Sequence, residues 1–216
     1  MSTQSDEDYL LAVYELIDSW GSARLADVCK IIGVAPSSAM QKLDRMTSQG
    51  ILLKNGRGNY ELTESGMRLA LKVVRKHRLA ERLLTDVLGL GWAEAHEESR
   101  LIEHAIDERI AKAIEEKTGA VTCPHGNPIP SSTGSVERQQ DAPLDSLSGK
   151  VVVSRVSYEE FETLYVLEAM GIRPGTKLQV DVEKDAVLLH LADGTRRVSK
   201  ALAHVLRGRP LEEMAA

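Results

Sequence analysis

The chain has 216 residues, of which 43% are hydrophobic and 27% charged, and its formal net charge is −5. Such a chain can bury one substantial core or divide into two or three small domains. It has no run of about 18 apolar residues, so we expect no membrane-spanning helix. The acidic start MSTQSDEDYL argues against a signal peptide, and two cysteines, Cys29 and Cys123, are too few for a disulfide framework. We therefore expect a cytoplasmic protein.

The first 60 residues predict a winged helix-turn-helix. An amphipathic helix over residues 5–20 precedes a second helix in ARLADVCKIIG and a third in VAPSSAMQKLDRMTSQG, which has Pro36 in its first turn. The stretch ILLKNGRGNYELTESG alternates strand residues around a turn at 55–58, as a β-hairpin does. In such a unit the third helix enters the major groove of DNA and the hairpin contacts the backbone.

The candidates for contact with DNA bases lie at the start of the third helix: Ala35, Ser37, Ser38 and Gln41. Serine and glutamine can hydrogen-bond base edges, and alanine can contact a thymine methyl. Basic residues in the locally basic segment 24–60 are candidates for phosphate contacts: Lys42, Arg45 and Arg57. A solvated charged face is the alternative interpretation of this charge pattern, and Gln41 could equally be a solvent-exposed helix residue.

The middle of the chain predicts a long helix over residues 64–88 and two more over 92–105 and 107–118. These helices carry more apolar surface than one helix pair would cover, which indicates a dimer interface. The apolar residues are Val73, Leu79, Leu83, Leu84, Val87, Leu101, Ile106 and Ile110. Residues 123–149 are rich in Pro, Ser, Gly and Gln, which predicts a loop and a flexible linker. After Lys150 the short β segments VVVSRV, KLQVDVEKD, AVLLHLADG and TRRVS, interrupted by the helical SYEEFETLYVLEAMG, predict a small β-barrel.

Five residues of metal-ligand type fall within two adjacent helical segments: His77, Glu81, His96, Glu103 and His104. Residues three and four apart share one face of a helix, so His77 and Glu81 lie together. Imidazole with carboxylate suits divalent first-row metals rather than calcium. Because these residues follow a helix-turn-helix, we interpret the metal as one that controls DNA binding.

Five segments in order resemble the diphtheria-toxin-repressor and iron-dependent-repressor family, including its manganese-responsive branch: EDYLLAVYEL, APSSAMQKLDRM, VRKHRLAERLLTDVLGL, CPHGNPIP and the C-terminal β segments, which look like the family's SH3-like domain. The resemblance implies a mainly α fold with a small β part. Its divisions would be a winged helix-turn-helix over 1–72, a helical metal-binding and dimerisation domain over 73–140, a linker over 141–149 and an SH3-like (FeoA-like) domain over 150–216.

The resemblance also implies a function. Such a protein would be a homodimeric repressor of metal-uptake or iron-homeostasis genes, bound to palindromic double-stranded operator DNA. Its activating metal would be Fe²⁺ or Mn²⁺, and the Irving–Williams order allows Zn²⁺ or Co²⁺ in vitro. It would be a regulator and not an enzyme.

Ligands carry over from the family by position. The ancillary site would use His77, Glu81, His96 and Glu160, while a glutamine ligand of the family falls on Thr163. The primary site would use Asp8, Glu103 and His104. Cys123 and His125 in the CPHG motif are ligand types, but the resemblance favours a structural role in the loop. Asp8 could instead be a helix N-terminal charge, and Glu160 could lie on a solvated face.

Arg100 stands where the family places Cys or Glu, and Leu11 replaces a carboxylate of the manganese branch. A protonated guanidinium has no lone pair to offer a cation. We favour a guanidinium lying among Asp8 and Glu103, because two carboxylates without a cation would repel each other. The alternative is a side chain turned towards Glu97 or Glu103, which would leave a weakened site.

Two rival functions follow from the same residues. In one, the protein binds DNA but has lost metal control, with Arg100 as a permanent substitute for the ion. In the other, His and Glu on adjacent helices hold a catalytic metal with an open position. The sequence has no HExxH motif, and a metalloenzyme would leave the helix-turn-helix pattern unexplained.

Overall fold

The computed structural model describes residues 3–137 and 139–211. Its N-terminal part is the predicted winged helix-turn-helix, with α1 (Gln4–Trp20), α2 (Leu25–Ile32) and α3 (Pro36–Ser48) followed by the antiparallel hairpin of β1 (Leu52–Lys54) and β2 (Tyr60–Leu62). Thr3 and Asp6 form a capping box that begins α1, and Gly21 ends it in the left-handed conformation.

One apolar core holds the N-terminal helices and the hairpin together. It gathers residues from α1, α3 and both strands, all but completely buried, such as Leu10, Leu16, Leu43, Met46 and Tyr60. The next helix, α4, closes this core with its first turns. A Cβ at Gly66 of α4 would lie 2.1 Å from the carbonyl oxygen of Ile51, so only glycine allows α4 to approach the hairpin this closely.

The middle of the chain forms the three predicted helices, and the first two end in a turn of different helical geometry. The first is α4 (Glu64–Arg82), which continues into a π-helical turn at Leu83–Val87. The second is α5 (Trp92–Ile102), which tightens into a 3₁₀ turn at Glu103–Ala105. The third is α6 (Glu108–Thr118), which begins at the side-chain cap of Asp107 and ends at Gly119. Helices α5 and α6 both pack on α4.

The C-terminal part is a six-stranded antiparallel sheet with a core of its own. Its strands are β3 (Ala142–Pro143), β4 (Gly149–Val156), β5 (Lys177–Val182), β6 (Val187–Leu191), β7 (Gly194–Val198) and β8 (Leu206–Pro210), in the spatial order β3-β8-β4-β5-β6-β7. Helices α7 (Phe161–Ala169) and α8 (Lys200–Val205) accompany it. This confirms the predicted fold class, in which a helical protein ends in an SH3-like β domain.

The predicted linker over 141–149 takes part in that sheet. Ala142 and Pro143 pair with Gly208 and Arg207 of β8, and Leu144 is fully buried in the C-terminal core. The polar composition of the segment suggested a flexible connection, but one buried leucine and two strand pairings are enough to anchor it. The structured C-terminal unit therefore begins about residue 142. Within the part of the chain that the structure describes, no helix is long and apolar enough to cross a membrane.

Candidate metal centre

Three of the predicted ligands meet where α4 packs against α5. His77 and Glu81 lie one turn apart on α4, and His96 faces them from α5. His77 Nε2 is 3.2 Å and His96 Nδ1 is 2.9 Å from the same oxygen, Glu81 Oε1. All three side chains are essentially inaccessible to solvent, at 1%, 0% and 1% exposure. The structure thus brings together the helical part of the predicted ancillary set.

The C-terminal domain contributes Glu159, the residue before the predicted Glu160. Glu159 Oε2 lies 3.3 Å from His96 Nδ1, and its other oxygen accepts a hydrogen bond from the side-chain amide of Asn127. Glu160 points the other way and accepts hydrogen bonds from Lys30 Nζ at 2.9 Å and from the Tyr158 hydroxyl at 2.7 Å. Glu160 is therefore not among the clustered residues. Consecutive residues in extended backbone point in opposite directions, so an assignment by position that is off by one selects the wrong carboxylate.

The CPHG loop adds two ligand types that the sequence had favoured as loop structure. His125 Nδ1 lies 3.2 Å from Glu81 Oε1 and 3.2 Å from Glu159 Oε2, and Cys123 Sγ lies 3.6 Å from His125 Nδ1. The tight turn depends on Gly126, whose φ is +88° and whose added Cβ would lie 2.2 Å from the backbone oxygen of Ser154. The spacing of cysteine and histidine in CPHG was the signal that could have identified both residues.

Two overlapping groups of potential ligands result. One comprises His77, Glu81, His96 and Glu159, and the other comprises Glu81, Cys123, His125 and Glu159, with the ligand atoms of each group within 4.8 Å of one another. Glu81 Oε2 is buried without a hydrogen-bond partner among the described residues. A buried carboxylate oxygen without a partner is costly unless a cation binds it. The donor set, with imidazoles, carboxylates and one thiol, fits a divalent transition metal.

The charges of this cluster balance without a metal only if histidines are protonated. Burial opposes a charged ring at His77, but the carboxylates of Glu81 and Glu103 raise its pKa to about 10. Burial likewise opposes the charged ring of His125, yet Glu81 and Glu159 raise its pKa well above the usual range. Burial raises the pKa of the Cys123 thiol to about 12, with the nearby carboxylates adding to the effect. A divalent ion would replace these protons as the balancing positive charge.

The predicted primary set also comes together, beside the N-terminus of α1. His104 Nε2 lies 3.0 Å from Asp8 Oδ1 and 3.8 Å from Glu103 Oε1, while His104 Nδ1 lies 2.9 Å from Glu7 Oε2. Burial raises the pKa of Asp8; the positive charge of His104 opposes this shift, and Glu103 adds to it. Glu103 also accepts a hydrogen bond from His77 Nδ1 at 2.5 Å, so the two groups of ligand types are directly connected.

Arg100 forms its ion pair with a residue that neither expectation named. Its Nη2 lies 3.4 Å from Glu15 Oε2 on α1, an ion pair that sequence reasoning did not consider. Glu15 is buried, at 7% exposure. Arg100 therefore joins α5 to α1 through Glu15 rather than Asp8, while its charge also acts on Asp8 and Glu103.

The predicted DNA-contact residues divide into two groups. Most lie exposed on α3 or the hairpin turn: Ala35, Ser37, Ser38, Gln41, Arg45 and Arg57. Lys42 instead lies against α1, where its Nζ is 2.7 Å from Asp6 Oδ1 and 5.8 Å from the centre of the Tyr9 ring. This contact turns the ammonium group inward, so the predicted phosphate contact of Lys42 would require it to leave Asp6.

Comparison with known proteins supplies the wider context of this site. Residues 1–58 match the N-terminal DNA-binding domain of iron-dependent repressors, and residues 63–131 match their metal-binding and dimerisation domain. The diphtheria toxin repressor of Corynebacterium efficiens is 30% identical over 217 residues, covering 93% of each chain. The iron-dependent repressor IdeR of Mycobacterium tuberculosis is 40% identical over 128 residues, a match that spans only 57% of this chain and 54% of that protein.

The solved structures agree over nearly the whole length. The crystal structure of T. acidophilum IdeR superposes with a TM-score of 0.92 at 33% identity, covering 98% of this chain and 100% of that one. The two chains therefore share one fold over nearly their whole length. The chain belongs to the iron-dependent repressor family.

Proposed function

We propose that this protein is a homodimeric transcriptional repressor whose binding to operator DNA is controlled by a divalent metal at the buried cluster. One observation carries the proposal: ligand types from α4, α5, the CPHG loop and the C-terminal domain gather around the buried carboxylate of Glu81, whose Oε2 has no hydrogen-bond partner among the described residues. In either of the two overlapping sets an ion would be held by ligands from three separate segments and would fix their relative positions. It can favour one arrangement of the DNA-binding domains because it binds that arrangement more tightly than others.

Within this proposal the ligands are His77, Glu81, His96 and Glu159, with His125 and Cys123 as a second, overlapping set. Nitrogen and oxygen donors suit Mn²⁺ or Fe²⁺, and Zn²⁺ or Co²⁺ would also bind in vitro. The bound ion would supply positive charge and a fixed coordination geometry, and no chemical transformation. Asp8, Glu103 and His104 form a second candidate site, where Arg100 leaves the ligand set one short.

The DNA contacts proposed for the protein follow from the exposed face of α3. Ser37, Ser38 and Gln41 would reach base edges, and Arg45 and Arg57 would meet phosphates. A two-fold symmetric dimer predicts a palindromic operator, with major-groove contacts separated by one helical turn or a multiple of it. Metal-uptake or iron-homeostasis genes are the proposed targets, and the cytoplasm the proposed location.

The test measures operator affinity as a function of metal. A palindromic operator is selected from random duplex DNA with the Mn²⁺-loaded protein, and binding is titrated with Mn²⁺ and, under anaerobic conditions, with Fe²⁺. We expect metal to increase operator affinity about tenfold or more, which corresponds to a coupling free energy of about 1.4 kcal/mol. The Glu81→Gln variant should lose that increase, because an amide cannot supply the charge of the carboxylate.

Glu162→Gln is the matched control, since it removes an exposed carboxylate outside the cluster and should respond to metal as the unchanged protein does. A Glu81→Gln variant that kept its metal response would overturn the assignment of the cluster. Equal operator affinity in Mn²⁺ and in chelator would instead support a regulator without metal control. Metal-dependent hydrolysis of a phosphoester or peptide would favour the metalloenzyme.

A further inference from the structure

Residues 157–160, between β4 and α7, contact the metal cluster and the DNA-binding domain at the same time. We call them the 157–160 segment. Glu159 extends its carboxylate into the cluster, where it lies 3.2 Å from His125 Nδ1. The residues on either side of Glu159 contact α1 and α2 instead.

Two of these contacts are made to the end of α1. The backbone oxygen of Ser157 accepts a buried hydrogen bond of 2.6 Å from the Ser19 hydroxyl. The ring of Tyr158 packs edge-on against Trp20, with 6.2 Å between ring centres. A buried hydrogen bond and an aromatic contact both depend closely on distance and angle. The end of α1 therefore follows the position of the 157–160 segment.

The third contact reaches α2, the first helix of the helix-turn-helix. Glu160 Oε2 accepts a hydrogen bond from Lys30 Nζ at 2.9 Å, and Glu160 Oε1 accepts one from the Tyr158 hydroxyl at 2.7 Å. Tyr158 thus holds the carboxylate of Glu160 towards Lys30. Since Glu159 and Glu160 are adjacent, a backbone movement that carries Glu159 towards a bound ion would also shift Glu160 relative to Lys30.

The C-terminal domain has other contacts with α1 that do not involve the cluster ligands directly. Arg155 forms an ion pair of 2.5 Å with Asp18, and His204 stacks on Trp20 with 4.9 Å between ring centres. These contacts join the C-terminal domain to α1 without any of the candidate metal ligands. The 157–160 segment differs from them because one of its own side chains belongs to the candidate metal centre.

We propose that the 157–160 segment positions the DNA-binding domain in response to metal at the cluster, with Tyr158 and Glu160 as positioning residues that act on Trp20 and Lys30. The proposal rests on the function proposed above. It adds the route by which the C-terminal domain takes part: an ion bound by Glu159 fixes the segment, and the segment fixes α1 and α2. The DNA-reading helix α3 moves with them because α2 and α3 pack together.

The test reverses the Lys30–Glu160 ion pair. Operator affinity is measured with Mn²⁺ and with chelator for Lys30→Glu, Glu160→Lys and the double variant, and the ratio of the two affinities is compared. Each single variant should lower the ratio by up to about fivefold, the range of an exposed ion pair, and the double variant should restore it. Mn²⁺ binding without DNA, measured by calorimetry, should stay within about twofold because neither residue belongs to the cluster.

A second measurement uses Trp20 as a reporter without DNA. The chain has two tryptophans, so in a Trp92→Phe variant all tryptophan emission comes from Trp20. Zn²⁺, which has no redox activity, should change the quenching of Trp20 by acrylamide in this background. The same addition should have no effect after Glu159→Gln. Glu168→Lys is the matched control, because it makes the same charge change at an exposed position near the other end of α7, and it should keep the full affinity ratio.

The results distinguish a failure of the positioning role from a failure of the metal-dependent function. Single variants that weaken operator binding equally in Mn²⁺ and in chelator, or a double variant that restores nothing, would show that the segment is only a structural contact. A Trp20 signal that ignores Zn²⁺ would also overturn the positioning role. If the unchanged protein shows no Mn²⁺ response at all, the metal-dependent function itself fails.

Discussion

At the scale of single residues, the cluster is a competition between protons and a metal for the same atoms. Glu81 Oε1 lies within 3.2 Å of three histidine rings, while Glu81 Oε2 has no hydrogen-bond partner among the described residues. Burial would raise the pKa of Glu81, but the neighbouring His125 and His77 hold it well below its usual range. In the protein without metal, the negative carboxylates and the positive histidine rings of the cluster therefore favour each other's charged forms.

This proton balance predicts how stability without metal depends on pH. The pKa of His77 is raised from 6.5 to about 10, so its contribution is complete below pH 6.5 and is lost as the pH rises towards 10. Despite the burial that opposes ionisation, the charges of nearby histidines lower the pKa of Glu159 from 4.5 to about 2. Its contribution is complete above pH 4.5 and is lost as the pH falls towards 2.

We therefore expect the free energy of unfolding in chelator to be highest between about pH 4.5 and 6.5 and to fall on both sides. Urea denaturation at a series of pH values measures it. His77→Gln should flatten the alkaline side of the profile. A maximum above pH 8 would contradict the protonated cluster.

Arg100 carries a second prediction at this scale. Arg100→Glu removes the ion pair with Glu15 and places a carboxylate near Asp8 and Glu103. Without metal we expect the free energy of unfolding to fall by about 1–3 kcal/mol, because Glu15 loses its charged partner. With Mn²⁺ we expect tighter binding at Asp8, Glu103 and His104, because the new carboxylate can serve as the missing ligand.

Arg100→Met is the control for that variant, since it removes the ion pair and adds no ligand. Calorimetric titration with Mn²⁺ compares the two. Identical isotherms for Arg100→Glu and Arg100→Met would mean that position 100 does not border a metal site.

At the scale of elements, helical periodicity predicted the helices well because each long helix has a continuous apolar face. The shorter elements were missed: β3 has two residues and α8 has six, too few for a period to be visible. The end of the predicted 64–88 helix also differs, since its last residues form a π-helical turn. No residue type signals such a turn in advance, because it depends on how the helix packs against α5 and α6.

At the scale of the whole molecule, the apolar residues that predicted a dimer divide into two groups. Several are buried within the chain, including Val73, Leu79, Leu84 and Ile106. Others remain exposed, including Val87 at 44%, Leu101 at 72% and Ile110 at 39%. The exposed group is the part that remains available to a second copy of the chain.

Leu101→Asp should therefore weaken the dimer. Leaving one leucine side chain unburied and adding a charge costs about 1.5–3 kcal/mol, so the dissociation constant should rise about 10- to 150-fold. Light scattering after size exclusion over a range of concentrations measures this change. Val182→Asp, at an exposed position of β5, is the control and should leave the dimer intact. A dimer unaffected by Leu101→Asp would place the interface elsewhere.

By itself, the sequence determined the family, the order of the helices and the shared face of His77 and Glu81. That shared face follows from local spacing, because residues one turn apart on a helix lie together in any fold that contains the helix. The meeting of Asp8 with His104 was implied by the resemblance to the family, since no local spacing joins residues so far apart in the chain. Only the tertiary structure decided which residues reach the cluster from outside α4 and α5. Glu159 rather than Glu160, His125 and Cys123 from the CPHG loop, and Glu15 as the partner of Arg100 all depend on how separate segments pack. Chain direction and loop closure set those positions, and local spacing carries no information about them.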